Sequence, residues 1–199
     1  VEGWRGANGT PFPKQPALPL KLYEFEGSPF CRRVREVITM LNLDVEIYPC
    51  PKGGQKYRQI VKEKGGKHRF PFLIDENTGD QLYESQDIIH HLFKHYGKTG
   101  PTPKKYSHYP KLPYVSTLAT VANAACGVWI NKKIINRPAP TELLELWSFE
   151  ASPYTRLVRE VLCELELPYV LHNVPKERWQ DMGPAILRLK PGKYIPLPN

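Results

Sequence analysis

The chain has 199 residues, a hydrophobic fraction of 41%, a charged fraction of 24% and a formal net charge of +8, proportions that fit a soluble globular protein of one or two domains. The positive balance favours anionic ligands, but no dense Lys/Arg stripe or finger motif accompanies it, which argues against a nucleic-acid binder. Four cysteines (Cys31, Cys50, Cys126, Cys163) are scattered without C-x-x-C or metal-ligand spacing; this weighs against a secreted disulfide framework and points to an intracellular, reducing compartment.

Val1–Leu20 is rich in Gly and Pro and lacks periodicity, as an extended arm would. Its apolar residues Trp4, Phe12, Leu18 and Leu20 suit it to lying along a surface; a loose tail is the other reading. The sequence opens on Val1 and shows no secretory signal pattern. Lys21–Phe25 reads as a strand, broken by Gly27-Ser28-Pro29. Pro29 suits the first turn of a helix, where its missing N–H is not needed. Val34, Val37, Ile38 and Leu41 then form one apolar helical face, which Asn42 ends. Val45–Tyr48 is a second strand, and Gln55–Lys64 a polar helix closed by Gly65-Gly66. Phe70–Ile74 is a third strand with Pro71 near its start, Asp75–Gly79 a turn, and Gln81–Tyr83 a short fourth strand. Ser85 is expected to cap a last helix with Ile88, Leu92, Phe93 and Tyr96 on its inner side, stopped at Gly97. The order β-α-β-α-β-β-α specifies an α/β sheet flanked by helices.

Lys98–Thr141 carries prolines at 101, 103, 110, 113, 138 and 140 and reads as a linker. Within it Tyr114–Asn131 has no charged residue, and we expect a helix there, packed on the modules. At the lower length limit of a membrane span, contact of 114–131 with a membrane is the alternative.

The stretch Leu22–Gly53 recurs at an offset of 124 residues as Leu146–Glu177, with 14 of 32 positions identical and no gap. Chance would give roughly two, so this is an internal duplication. Ser28-Pro29 returns as Ser152-Pro153, and Arg32, Val34, Arg35, Glu36 and Val37 return as Arg156, Val158, Arg159, Glu160 and Val161. Leu143–Phe149 and Tyr169–His172 repeat the first two strands. After Lys176 the copies diverge: Gly192–Pro196 can be laid on Gly66–Pro71 with a one-residue shift, but Leu82–Tyr96 has no counterpart. The second module is therefore incomplete, by truncation, by a remainder not included, or by an insertion at Met182–Asn199. The expected organisation is an arm (1–20), module 1 (21–97), a Pro-rich linker with one helix (98–142) and a partial module 2 (143–199).

A strand, a Ser-Pro-Phe-Cys corner, a helix, an X-Pro strand and a Glu-Ser helix start resemble the thioredoxin-fold N-terminal domain of glutathione transferases and its glutaredoxin-like relatives, including the membrane-associated type of prostaglandin E synthase. The tandem layout, with LELWSFEASPYTRLVREVLCELELPY after the linker, is similar to that of tandem glutathione-transferase-like proteins of plant and algal plastids. The resemblance covers Lys21–Tyr96 in the first copy and runs to about Pro175 in the second. It implies two tandem thioredoxin-fold modules, a plastid location and glutathione, or another small thiol, as the bound molecule. Ser28 would stand where the family has its nucleophilic Cys or thiolate-stabilising Ser. Pro71 would be the cis-proline, with the Phe70 backbone pairing the cysteinyl group of glutathione. Glu84 and Ser85 would hold the γ-glutamyl end, Ser152 would repeat Ser28, and Pro196 would repeat Pro71. The departures also count. Ser-Pro-Phe-Cys and Ser-Pro-Tyr-Thr lack the first cysteine of Cys-Pro-Phe-Cys, so dithiol exchange is excluded at both corners. The helical domain that builds a transferase's second-substrate site has no room here.

Two views of each residue stay open. Ser28 and Ser152 are either N-caps or hydrogen-bond donors to a ligand sulfur. At Ser28 the helix N-terminus and Arg32, Arg33 and Arg35 would favour a glutathione thiolate. Cys31 is either a buried thiol or a slow nucleophile open to glutathionylation. Glu84-Ser85 caps a helix, grips a carboxylate, or does both. His91 and His95, at i and i+4, could bind a metal, but a solvated or packed helix face is the favoured reading, and no metal site is expected. Two functions follow: a transferase-like or thiol-transfer activity through glutathione at Ser28, or a non-catalytic scaffold or assembly subunit whose arm and linker wrap a protein partner.

Overall fold

We describe the chain from a computed structural model, over residues 15–97, 126–134 and 140–175 and the single residues 102, 106 and 138. Module 1 follows the expected order. The strands are β1 (Leu20–Glu24), β2 (Val45–Pro49), β3 (Phe72–Asp75) and β4 (Asp80–Leu82). The helices are α1 (Pro29–Leu41), α2 (Lys56–Gly65) and α3 (Ser85–Tyr96). Module 2 contributes β5 (Leu144–Ser148), α4 (Pro153–Glu164) and β6 (Tyr169–Asn173).

Local chemistry accounts for the helix ends. Pro29 opens α1, and the Ser28 hydroxyl oxygen accepts the Cys31 N–H at 3.3 Å, which satisfies one of the donors that a helix start leaves unpaired. Asn42 ends α1 in the left-handed region at φ 52°, a conformation Asn tolerates better than most residues. Ser152 repeats the Ser28 cap, accepting from the Thr155 N–H at 3.4 Å. At α3 the cap position belongs to Glu84 rather than to Ser85, which is the first helical residue, and the Glu84 side chain makes no capping bond.

All six strands form one sheet in the order β4-β3-β1-β2-β6-β5. β1 runs parallel to β2, and β5 parallel to β6. The seam between modules is the antiparallel pair β2–β6, with Val45 opposite Leu171, Glu46 opposite Val170 and Ile47 opposite Tyr169. Residues 45–47 correspond to 169–171 in the duplication, so the register maps onto itself when the copies are exchanged. The seam is a pseudo-twofold within one chain, and one apolar core crosses it: Leu162, Tyr169 and Leu171 pack with Leu22, Val37, Ile47, Ile89 and their neighbours.

The two helices of the repeat meet different surroundings. On α1, Val34 and Val37 are fully buried in the core. Their counterparts on α4, Val158 and Val161, are 46% and 53% exposed, beside exposed Tyr154 and Leu157. Most of the expected linker helix at 114–131 lies outside the described residues. Its described end, Cys126–Asn131, is a turn followed by a strap rather than helix. The strap bridges the modules: Lys52 N–H donates to the Val128 carbonyl at 2.7 Å, Ile130 N–H to the Lys52 carbonyl at 3.0 Å, and Asn131 N–H to the Glu164 carbonyl at 2.9 Å. Among the described residues no helix is long and apolar enough to cross a membrane. The arm before residue 15 and the segment around Pro196 lie outside the described residues.

Candidate functional site

The topology gathers the module 1 candidates at one end of the sheet. β1 and β3 are antiparallel, with Tyr23 opposite Phe72, so the chain leaving β1 passes the chain entering β3. Phe25 meets Phe70 edge-on, with ring centroids 6.2 Å apart. The Phe70–Pro71 peptide is cis. α3 starts beside α1, and Arg33 Nη2 donates to Gln86 Oε1 at 3.3 Å. Ser28, Phe70-Pro71 and Glu84-Ser85 therefore border one region, at the C-terminal end of parallel strands β1 and β2, where open α/β sheets bind ligands.

Glu84 adopts φ 59° and ψ 122°. A non-glycine residue there carries a backbone cost of about 1–3 kcal/mol, and such strain gathers at functional sites. The conformation turns the chain into α3 so that Ser85, 6% exposed, opens the helix. Arg69 Nη1 pairs with Glu84 Oε1 at 3.2 Å, both side chains being largely exposed. Arg58 lies over the Phe70 ring, 4.6 Å from its centroid. The arrangement offers a helix N-terminus for a carboxylate, an opened strand edge at Pro71 for a peptide backbone, and the positive end of α1 for an anionic sulfur.

Of the two readings of Cys31, the geometry fits the buried one: it is wholly buried, and burial pushes its thiol up to about 12, with Glu24 adding to the shift. A thiol without surface or thiolate character is not a nucleophile, so Cys31 is structural. Arg35, expected to add charge near Ser28, is buried and paired with Glu24, Glu26 and Glu150 at the seam. Ser28 is itself only 4% exposed. The strap lies against the preceding residue: Gly27 N–H donates to the Gly127 carbonyl at 3.3 Å, and a Cβ on Gly27 would come within 2.2 Å of Val128 Cγ2. Ser152 caps α4, but the residues that would complete a site around it lie outside the described part of the chain.

The sequence reasoning missed a buried ion network at the seam. Arg35 of module 1 forks onto Glu150 of module 2, Nε at 2.9 Å and Nη2 at 3.2 Å. Arg159 of module 2 forks onto Glu26 of module 1, at 3.1 and 3.2 Å. The duplication exchanges these two pairs. Glu24 joins as a third carboxylate on Arg35, where the second copy has Ser148, whose hydroxyl lies 3.4 Å from Arg159 Nη1. Three carboxylates thus share two guanidiniums out of water. Desolvation and the two neighbouring carboxylates push Glu24 up to about 7 against the pull of Arg35, whereas the two arginines hold Glu150 below the usual carboxylate range despite its burial. The signal was present in the sequence: Glu26, Arg35, Glu150 and Arg159 are repeat-identical charges, and both arginines interrupt an apolar helix face.

The fold and the corner define a thioredoxin-like α/β protein. Residues 22–102 and 146–197 match the glutathione S-transferase N-terminal domain family, and the chain belongs to that family. Among solved structures it is similar to a glutathione transferase of Bombyx mori, at 30% identity over 50% of this chain and 43% of that one, with a TM-score of 0.37. It is also similar to a delta-class glutathione transferase of Nilaparvata lugens, at 30% identity over 54% and 46%, with a TM-score of 0.36. An epsilon-class enzyme of Musca domestica matches at 24% identity over 52% and 44%, with a TM-score of 0.34. The chain spans less than half the length of these enzymes. No curated protein matches it.

Proposed function

We propose that module 1 binds glutathione or a closely related small thiol. The observation that carries this is the gathering of three features at one sheet end: the α1 N-terminus at Ser28-Pro29, the cis Phe70–Pro71 peptide opening β3, and Ser85 at the start of α3 behind a strained Glu84. In this reading the backbone beside Pro71 pairs with the cysteinyl unit as an added strand would. The Ser85 N–H and hydroxyl hold the γ-glutamyl carboxylate, with Arg69-bound Glu84 available to its ammonium group. The Ser28 hydroxyl and the α1 dipole favour the thiolate, and the chemistry is attack by that sulfur on an electrophile or mixed disulfide. Calorimetric titration with glutathione tests it. Saturable binding weakened about tenfold or more by Ser85→Ala supports the site. No saturation by ~10 mM, which bounds binding at about −2.7 kcal/mol, removes it.

A second reading, a non-catalytic assembly subunit, is favoured by one observation: the exposed apolar face of α4, formed by Tyr154, Leu157, Val158 and Val161 at helical spacing. Solutes with that much uncovered apolar surface commonly associate. Co-purification of the tagged full chain in a large complex, without thiol-dependent turnover, would select this reading.

A further inference from the structure

At the opposite end of β3 from Pro71, three side chains with metal-ligating atoms converge. His91 and His95 stand one turn apart on α3, their rings 4.5 Å between centroids. Asp80 reaches them from the first residue of β4, with its Oδ2 3.6 Å from His91 Nδ1. One nitrogen or carboxylate oxygen from each of the three lies within 4.8 Å of the others.

His91 is only 8% exposed, and its other nitrogen is already committed. Nε2 lies 2.8 Å from Oδ2 of Asp75, which has no exposed surface and also accepts the Tyr96 hydroxyl at 2.6 Å. Asp75 is fixed in turn by Asn77, whose N–H and side-chain amide both donate to Oδ1 at 2.9 Å. With the buried Asp75 carboxylate accepting from Nε2–H the ring orientation is locked, and in the neutral imidazole the Nδ1 lone pair is left toward Asp80. That is the outer-sphere arrangement that orients metal-binding histidines and raises their basicity.

We propose that Asp80, His91 and His95 bind a divalent ion of the zinc type, clasping the β3–β4 hairpin to the last turn of α3. Two imidazoles and one carboxylate suit zinc rather than calcium or magnesium, which take oxygen ligands. Zinc–ligand bonds of about 2.0–2.2 Å put tetrahedral donors roughly 3.3 Å apart. The His91–Asp80 separation is near that already. His95 and Asp80 are exposed, and small rotations of their side chains close the remaining distance. The fourth position faces solvent and takes water. The site lies at the far end of β3 from Pro71 and more than one turn along α3 from Ser85, so its role is to fix the hairpin and helix rather than to take part in thiol chemistry.

The test is titration of the tag-free, chelator-washed 199-residue chain with zinc chloride, in a Cys126→Ser background that removes an exposed thiol able to compete. One equivalent should bind at micromolar concentration, and cobalt substitution should give visible d–d bands. Asp80→Asn and His95→Ala, both at surface positions, should each weaken binding at least about tenfold and abolish the metal-dependent rise in Tm. His68→Ala, an exposed residue outside the cluster, should leave both unchanged. Failure of the Cys126→Ser protein to bind by ~100 µM zinc, or equal binding by the Asp80 and His95 variants, overturns the proposal.

Discussion

Glu24 shows what an odd charge does in a buried network. Its ordinary titration near 4.5 moves up to about 7 in the folded protein, so the folded state holds the proton more tightly than the unfolded one. Stability contributed by that proton is complete below 4.5 and is lost as pH rises through 7. Glu150 moves the other way, and its contribution is lost on acidification. Denaturant melts of the wild type should therefore lose stability between pH 5 and 7.5, with Glu24→Gln flattening that slope; a wild type that gains stability over the interval refutes the assignment. Arg159→Met leaves Glu24, Glu26 and Glu150 with one guanidinium between them, and should cost about 3–5 kcal/mol in the same melts. At this scale the sequence was only partly legible. Ser28, Pro71, Glu84 and Ser85 could be placed because their neighbours in sequence define a turn or a helix start. The fate of Arg35 could not, because it depends on a second copy of the corner arriving from more than a hundred residues away.

The duplicated helix permits a controlled comparison between positions of equal sequence and unequal burial. Val37 on α1 is fully buried, whereas its counterpart Val161 on α4 is half exposed. Val37→Ala should destabilise by about 2 kcal/mol through lost burial and a cavity. Val161→Ala should change stability by less than about 0.5 kcal/mol. Equal effects would mean that something outside the described residues covers α4. The two caps should behave alike, Ser28→Ala and Ser152→Ala each costing about 1 kcal/mol of thermal stability. Only Ser28→Ala should also affect glutathione titration if the thiol sits at module 1. The elements of module 1 were legible because each announces itself locally, through the period of Val34, Val37, Ile38 and Leu41, the stop at Asn42 and the proline before β3. The strap at Cys126–Asn131 was not. Its conformation is set by backbone bonds to Lys52 and Glu164, and an uncharged stretch does not reveal those partners.

At the scale of the molecule, the sheet makes the two modules one body. The duplication foretold two copies of a β-α-β unit, but not that β2 and β6 would pair edge to edge with a buried ion network above the seam. Self-complementary register is a property of a surface meeting its own copy, and it cannot be read from either copy alone. Amide hydrogen exchange should therefore give β6 the same high protection as β2, since both are interior strands of one six-stranded sheet. Fast exchange confined to Tyr169–Asn173 would show that the seam opens on its own.

The seam also sets an order of events during synthesis. β1, α1 and β2 can meet as soon as they leave the ribosome, but the partner of β2 is made more than a hundred residues later. Until then the nascent chain carries a bare strand edge, with Arg35 and Glu26 still without Glu150 and Arg159, and closing so long a loop is intrinsically slow. The interval between translating Pro49 and Tyr169 is thus when this chain is most open to pairing with another copy whose β6 has already been made, because the edge that awaits β6 would accept any β6.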